Sequence, residues 1–167
     1  MPIKFDITMT DKAMCNFMIY HTYTHFSGIF GVIIGILAAG MAVRKAAMQD
    51  YVGAVVFLVM AFLFLLYLPL SMSQKAKRQV KNTPMFQKPI TYELTEEGIH
   101  ISQGEEEALN LWENFLKVVS TGQCLVLYVS RMRAVLLPID QLGELYLPVV
   151  KMISAHVEPS KVKIKGV

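Results

Sequence analysis

FSGIFGVIIGILAAGMAV (residues 26–43), RKAAMQD (44–50) and YVGAVVFLVMAFLFLLYLPLSMSQ (51–74) decide how this chain folds. The first run is 18 residues without a charge and, at about 1.5 Å per helical residue, spans roughly 27 Å, near the ~30 Å hydrocarbon core of a bilayer. The last is 24 uncharged residues, with Val, Phe and Leu at thirteen of the nineteen positions from Val52 to Leu70. Two such runs joined by seven residues predict a transmembrane hairpin over residues 26–74, with helices at 26–43 and 51–71.

Small residues thin the first helix. Gly28, Gly31, Gly35 and Ala39 put a seam on one face where another helix can approach closely, either the second helix of the hairpin or a second copy of the chain. On a translocon scale of roughly −0.3 to −0.6 kcal/mol per Leu, Ile, Phe or Val, thirteen such residues make the second helix the stronger anchor and nine the weaker. Neither run carries an ionisable group at membrane depth, the usual mark of a transport path.

The rest of the 167 residues is charged unevenly. The composition is 54% hydrophobic and 17% charged, against about 25% charged for an average soluble protein, and the net charge of +3 conceals a segregation. Lys75, Lys77, Arg78, Lys81 and Lys88 lie in an acid-free stretch after the hairpin, whereas residues 90–158 hold ten acids against four bases. Lysine and arginine near the helix ends number seven on the side of the termini and two, Arg44 and Lys45, in the loop. The positive-inside rule then predicts a multi-pass membrane protein with both termini cytoplasmic. Residues 75–89 read as a basic juxtamembrane linker able to rest on anionic headgroups, at up to about 1 kcal/mol per base. Pro84 and Pro89 argue against helix there.

Ahead of the hairpin, Ile3, Phe5 and Ile7 alternate with polar residues as in a strand needing a partner elsewhere. Met14, Phe17, Met18, His21 and His25 recur at three and four, predicting an amphipathic helix over about 11–24 at the membrane interface, within an N-terminal segment 1–25. Lys4, Asp6, Asp11 and Lys12 precede the first apolar run, which argues against a signal peptide.

After residue 90 the period becomes two. Ile90–Leu94 and Ile99–Ser102 flank the turn Glu96-Glu97-Gly98; further strands are expected over 108–111, 112–119, 124–129 and 134–137, the last closed by Pro138. Six or seven short strands followed by a helix over about 144–156, with Leu145, Val149, Met152, Ile153 and His156 on one face, predict a small barrel or sandwich plugged by its terminal helix. The fold class expected is an α+β membrane protein with a soluble domain at 90–158 and a basic tail at 159–167.

Tyr92-Glu93-Leu94-Thr95-Glu96-Glu97-Gly98-Ile99, Leu111-Trp112-Glu113-Asn114-Phe115, Leu125–Tyr128 and Leu136-Leu137-Pro138, following two apolar helices and a basic linker, resemble the YcxB-like family of bacterial membrane proteins. The soluble part is similar to that family's pleckstrin-homology-like C-terminal domain, so the resemblance implies a barrel with a closing helix and no established activity. The family's Trp-x-x-Ile is matched with Phe115 in the apolar place. Ile139-Asp140 stand where the family commonly has a base after the strand-ending proline, so no role of that base transfers.

Trp112, Arg131 and Arg133 are the candidate ligand contacts, Trp112 as an aromatic at the centre of the pattern and the arginines as flanks of a strand turn. The acidic surroundings oppose a polyanionic ligand and make nucleic acid an improbable partner. His21 and His25 are one turn apart, with Cys15 nearby, but two ligands do not make a metal site. Cys124 opens a buried strand, where a thiol is inert. With no phosphate loop, zinc-protease helix, nucleophile elbow or CxxC pair, the expectation is a protein without catalysis, cofactor or metal. Its partners would be the bilayer and a protein or peptide bound at the membrane. The alternatives are an oligomeric channel or transport accessory built on the Gly31/Gly35 face, and lipid-headgroup binding.

Overall fold

The computed structural model describes residues 2–130 and 133–164, apart from the side chain of Ser27. The chain divides into two compact units, Met1–Phe17 with Arg78–Val167, and Met18–Lys77. The fold is α+β, with two apolar helices and two sheets.

In the second unit, helix α2 (Phe26–Ala47) runs antiparallel to α3 (Tyr51–Phe62). The turn between them is built residue by residue. Gln49 adopts a left-handed φ of 61°, its N–H donates to Ala46 O at 3.0 Å, and the Asp50 N–H donates to Lys45 O at 3.0 Å, a Schellman closure with glutamine in glycine's usual place. Asp50 then caps α3, accepting from the Gly53 N–H at 3.0 Å and from Lys45 Nζ at 2.8 Å.

Past α3 the helix widens into a π turn, Leu63–Tyr67, with the Leu68 N–H reaching Leu63 O, and continues as α4 (Leu68–Asn82). Pro69 supplies the reason. It has no N–H for the carbonyl of Leu65 and its ring would crowd that carbonyl in a regular helix; an extra residue in the preceding turn makes room. Gly28–Ala47 and Tyr51–Asn82 are both long and apolar enough to cross a membrane. The basic juxtamembrane stretch 75–89 is therefore helical through Asn82, with a 3₁₀ turn at Pro84–Gln87. The prolines sit where they do not break α4, one past its end and one before the next strand.

Among the described residues the other unit holds eight strands in two sheets of four. Strand β1 (Ile3–Ile7) pairs antiparallel with β2 (Ile90–Leu94), with Phe5 opposite Tyr92, so the N-terminal strand belongs to the soluble unit. Strands β3 (Gly98–Gln103) and β4 (Glu106–Leu111) complete the sheet in the order β1-β2-β3-β4. The second sheet joins β5 (Lys117–Ser120), β6 (Cys124–Tyr128), β7 (Ala134–Pro138) and a short β8 (Val162–Lys163) in the order β7-β6-β5-β8. No ladder joins the sheets among the described residues, so of the barrel or sandwich expected from sequence no closed barrel forms, and the strands make two open sheets. The chain passes between them through a 3₁₀ turn at Trp112–Asn114, so the strand expected over 112–119 begins only at Lys117.

One core fills the space between the sheets. Ile7, Ile90, Leu94 and Ile99 from the first sheet meet Val118, Leu125, Leu127 and Leu137 from the second. Val149, Val150 and Ile153 of helix α6 (Tyr146–His156) join them, while Leu145, expected on that face, is exposed. Residues alternating with those of the second sheet, Val119, Cys124, Val126 and Leu136, are equally buried. Their cover is the first part of helix α1 (Asp11–Thr24): Ala13 O lies 3.9 Å from Cys124 Sγ, Asn16 Oδ1 accepts from Thr121 Oγ1 at 2.6 Å, and Phe17 packs on Tyr128. Residues 11–17, read from sequence as membrane-interfacial, pack on a sheet instead. That second cover is why the run Cys124–Tyr128 is apolar throughout.

Candidate functional site

The small-residue seam of α2 is occupied within its own unit. A Cβ on Gly35 would lie 2.6 Å from Leu65 Cγ and 3.2 Å from Phe64 Cβ, and one on Gly31 would lie 3.5 Å from Phe64 Cδ1. The buried line continues through Ala38 and Ala42, with Ala39 half-buried beside it. Gly28 does different work: a Cβ there would overlap the Thr22 carbonyl, so it serves the corner at His25 where α1 gives way to α2. The sequence showed the small residues but not the Pro69-driven π turn that puts Phe64 and Leu65 against them.

Lys75, Lys77, Arg78 and Lys81 on α4, and Lys88 beyond it, are all exposed, and among the described residues none forms an ion pair. Successive helical positions are about 100° apart, so Lys77, Lys81, Arg78 and Lys75 follow one another around about 160° of the helix.

Trp112 is not a free recognition ring. It is buried, its indole N–H donates to Thr95 O at 2.9 Å, and it stacks on the imidazole of His156 with centroids 5.4 Å apart and planes 22° apart. His156 uses both nitrogens: Nδ1 meets Met152 O at 2.9 Å and Nε2 meets Glu96 Oε2 at 2.8 Å. Two acceptors suit the doubly protonated ring, and the Met152 carbonyl first, then Glu96, raise its pKa above the usual imidazole value. The contact joins α6 to the Thr95–Gly98 turn and to the 3₁₀ turn at Trp112, three pieces far apart in sequence.

Gly98 in the same turn allows close strand approach, since a Cβ would overlap the backbone of Asn110. Arg133 is exposed at the head of β7, its N–H donating to Ser130 Oγ at 3.0 Å; Arg131 lies outside the described residues.

A cleft of about 410 Å³ opens between the start of α1, the β5–β6 turn and the short helix α5 (Ile139–Leu142), lined by Thr10, Lys12, Gly122, Gln123 and Asp140. It falls within the range of small-molecule sites but shows no convergence of buried polar groups. Three separated segments build it, so no local sequence signal announces it. Beside it, burial first and Asp140 second push the Cys124 thiol up to about 11, far from a reactive thiolate. His21 and His25 stand ring to ring at 4.3 Å, and burial, then His25, lower the pKa of His21. Among the described residues no third His, Cys, Asp or Glu joins them. His100 is exposed on β3 opposite Glu93.

Residues 94–146 match a family model described as YcxB-like protein. The match runs from the end of β2 to the first residue of α6 and includes the Thr95–Gly98 turn, the Trp112 turn and the β7 proline. No curated protein and no solved structure matches this chain.

Proposed function

We propose that this chain is a membrane-anchored interaction protein, in which the α2–α3 hairpin crosses the bacterial inner membrane and the β-rich unit binds a protein or peptide at the cytoplasmic face. One observation carries the anchoring. Ile29, Phe30, Ile33, Ile36 and Leu37 on α2, and Val52, Val55, Val56, Leu58 and Phe62 on α3, are each between 48% and 79% exposed. Soluble monomers rarely expose apolar patches beyond about 300–600 Å², whereas hydrocarbon accepts such a surface without penalty.

Support for a binding module comes from the soluble unit. With α1–α4 set between β1 and β2, its strands β1–β4, then β5–β7, then a core-packed helix are compatible with a pleckstrin-homology-like domain, and Trp112, His156 and Cys124 are engaged in structure. The unpaired bases Lys75, Lys77, Arg78 and Lys81 favour contact with anionic lipid as a positioning interaction. A channel assembled through Gly31 and Gly35 has less to recommend it, because Phe64 and Leu65 of the same chain fill that face.

Two measurements test the reading. In a Cys15→Ser background, Gln49→Cys should react with an impermeant maleimide on intact cells, and Ser160→Cys only after lysis. The reverse pattern, or extraction of the protein by alkaline carbonate, overturns the anchoring. Photo-crosslinking residues placed at exposed Leu109, Leu116 and Leu147 should give discrete protein adducts in cells. Adducts to lipid alone from all three positions would remove the partner reading.

A further inference from the structure

The second sheet ends in a strand that hardly qualifies as one. β8 is two residues long and pairs parallel with β5 through Val118 opposite Val162 and Val119 opposite Lys163. It enters from a 3₁₀ turn, Pro159–Lys161, that brings the chain back from the end of α6. Val162 and Ile164 pack their side chains against the core, while Lys163 between them is exposed. Without these residues β5 would be an open edge lined by buried apolar side chains, a template for an incoming strand.

We propose that the β5 edge is a peptide-binding groove which the chain's own residues 162–164 hold closed, and that its external ligand is an extended segment of a partner protein with alternating apolar and basic residues. This deepens the reading of the β-rich unit as a protein or peptide binder and rests on it. The resident segment shows what the groove accepts. Backbone groups of β5 supply sequence-independent hydrogen bonds, alternate side chains enter the core margin, and the residues between them face outward. Val162-Lys163-Ile164 has that pattern, and its base suits a unit with ten acids against four bases over residues 90–158.

The closure is tethered but short. Five residues, Val157–Lys161, separate the segment from α6, so it competes at the effective concentration of a short linker, on the order of millimolar. A two-residue ladder gives little beyond that advantage. A longer matching strand displaces it, which makes the tail a built-in competitor setting a threshold for partner binding.

The test uses full-length protein in nanodiscs and a fluorescein-labelled peptide with the sequence of residues 158–167. A chain ending at Glu158 should bind the peptide saturably, and the intact chain about ten-fold or more weakly. A scrambled peptide that keeps the composition but breaks the alternation should not bind. Equal binding to both chains, no binding to a truncated chain whose Trp112 emission is native, or equal binding of the scrambled peptide overturns the proposal. If truncation unfolds the unit, the double variant Val162→Ser/Ile164→Ser opens the groove at full length and is held to the same outcomes. In the intact protein, amides of residues 162–164 should exchange with deuterium at least 100-fold faster than those of β6; equal protection also overturns the proposal. Peptide capture without any cellular protein crosslink removes the partner reading and leaves the groove. A crosslinked partner whose yield is indifferent to the tail does the opposite.

Discussion

Gln49 adopts a left-handed conformation that glycine takes freely, because the hairpin turn closes with hydrogen bonds to Ala46 and Lys45. Gln49→Gly should therefore raise hairpin stability by about 0.5–1 kcal/mol, read as resistance to denaturant in micelles; a loss would mean that the glutamine side chain contributes more than its backbone costs. Gly35→Ala should do the opposite, costing about 1–3 kcal/mol, because its new methyl meets Leu65 at 2.6 Å. Gly40→Ala, inside the same helix with nothing within 4 Å, is the control and should gain about 0.5–1 kcal/mol from helix propensity alone. His156 gives a pH signature. Its folded pKa is raised, so its stabilisation is complete below the ordinary value near 6.5 and is lost as pH rises through the folded value. Denaturant midpoints followed by Trp112, the one tryptophan, should fall across that window, and His156→Gln should flatten the profile. An unchanged slope in the variant would assign it elsewhere. The approach of the second helix to Gly35 was legible as a small-residue face, but the contacts of His156 were not: it was readable as part of a helix face, while its partners Glu96 and Trp112 lie sixty and forty-four positions away.

At the scale of elements, periodicity carried most of the assignment and failed where one element covers another. Alternation located β1, β2 and β3, and the dense run Cys124–Tyr128 located β6. It could not say that β1 pairs with β2, or that residues 11–17 rather than a membrane surface cover the far side of the second sheet, because pairing and cover are long-range choices. The Trp112–Asn114 turn reads as strand because Trp112 opens the run to Val119, in which Trp112 and Phe115 sit three apart and Leu116 and Val118 two apart, spacings that a turn and a strand share. The β1 pairing has a direct consequence. Removing residues 2–8 strips the outer side of β2 and exposes Ile90, Tyr92 and Leu94 at a new edge. The unit should lose its cooperative unfolding transition, and residues 90–158 expressed alone should fail to fold. A soluble 90–158 fragment with native Trp112 emission and slow amide exchange in β2 would show that β1 is an accessory.

At the scale of the whole molecule, the two apolar runs were legible because a bilayer core requires about twenty uncharged helical residues and few soluble designs supply them twice in succession. What hydropathy could not show is where the helix ends: α4 continues through Lys75, Lys77, Arg78 and Lys81 before it stops at Asn82. Those four bases account for most of the seven-to-two imbalance on which the proposed orientation rests. Each is worth up to about 1 kcal/mol near an anionic leaflet, and each 1.4 kcal/mol is a tenfold change in a population. Replacing all four with glutamine leaves Lys4, Lys12 and Lys88 against Arg44 and Lys45, too small a difference to fix one orientation. The quadruple variant should insert in both senses, so that Gln49→Cys labelling from outside intact cells falls several-fold while total membrane-bound protein is unchanged. Labelling that stays complete would locate the topological signal in the hairpin itself, and the basic face of α4 would then need another partner to account for its unpaired charge.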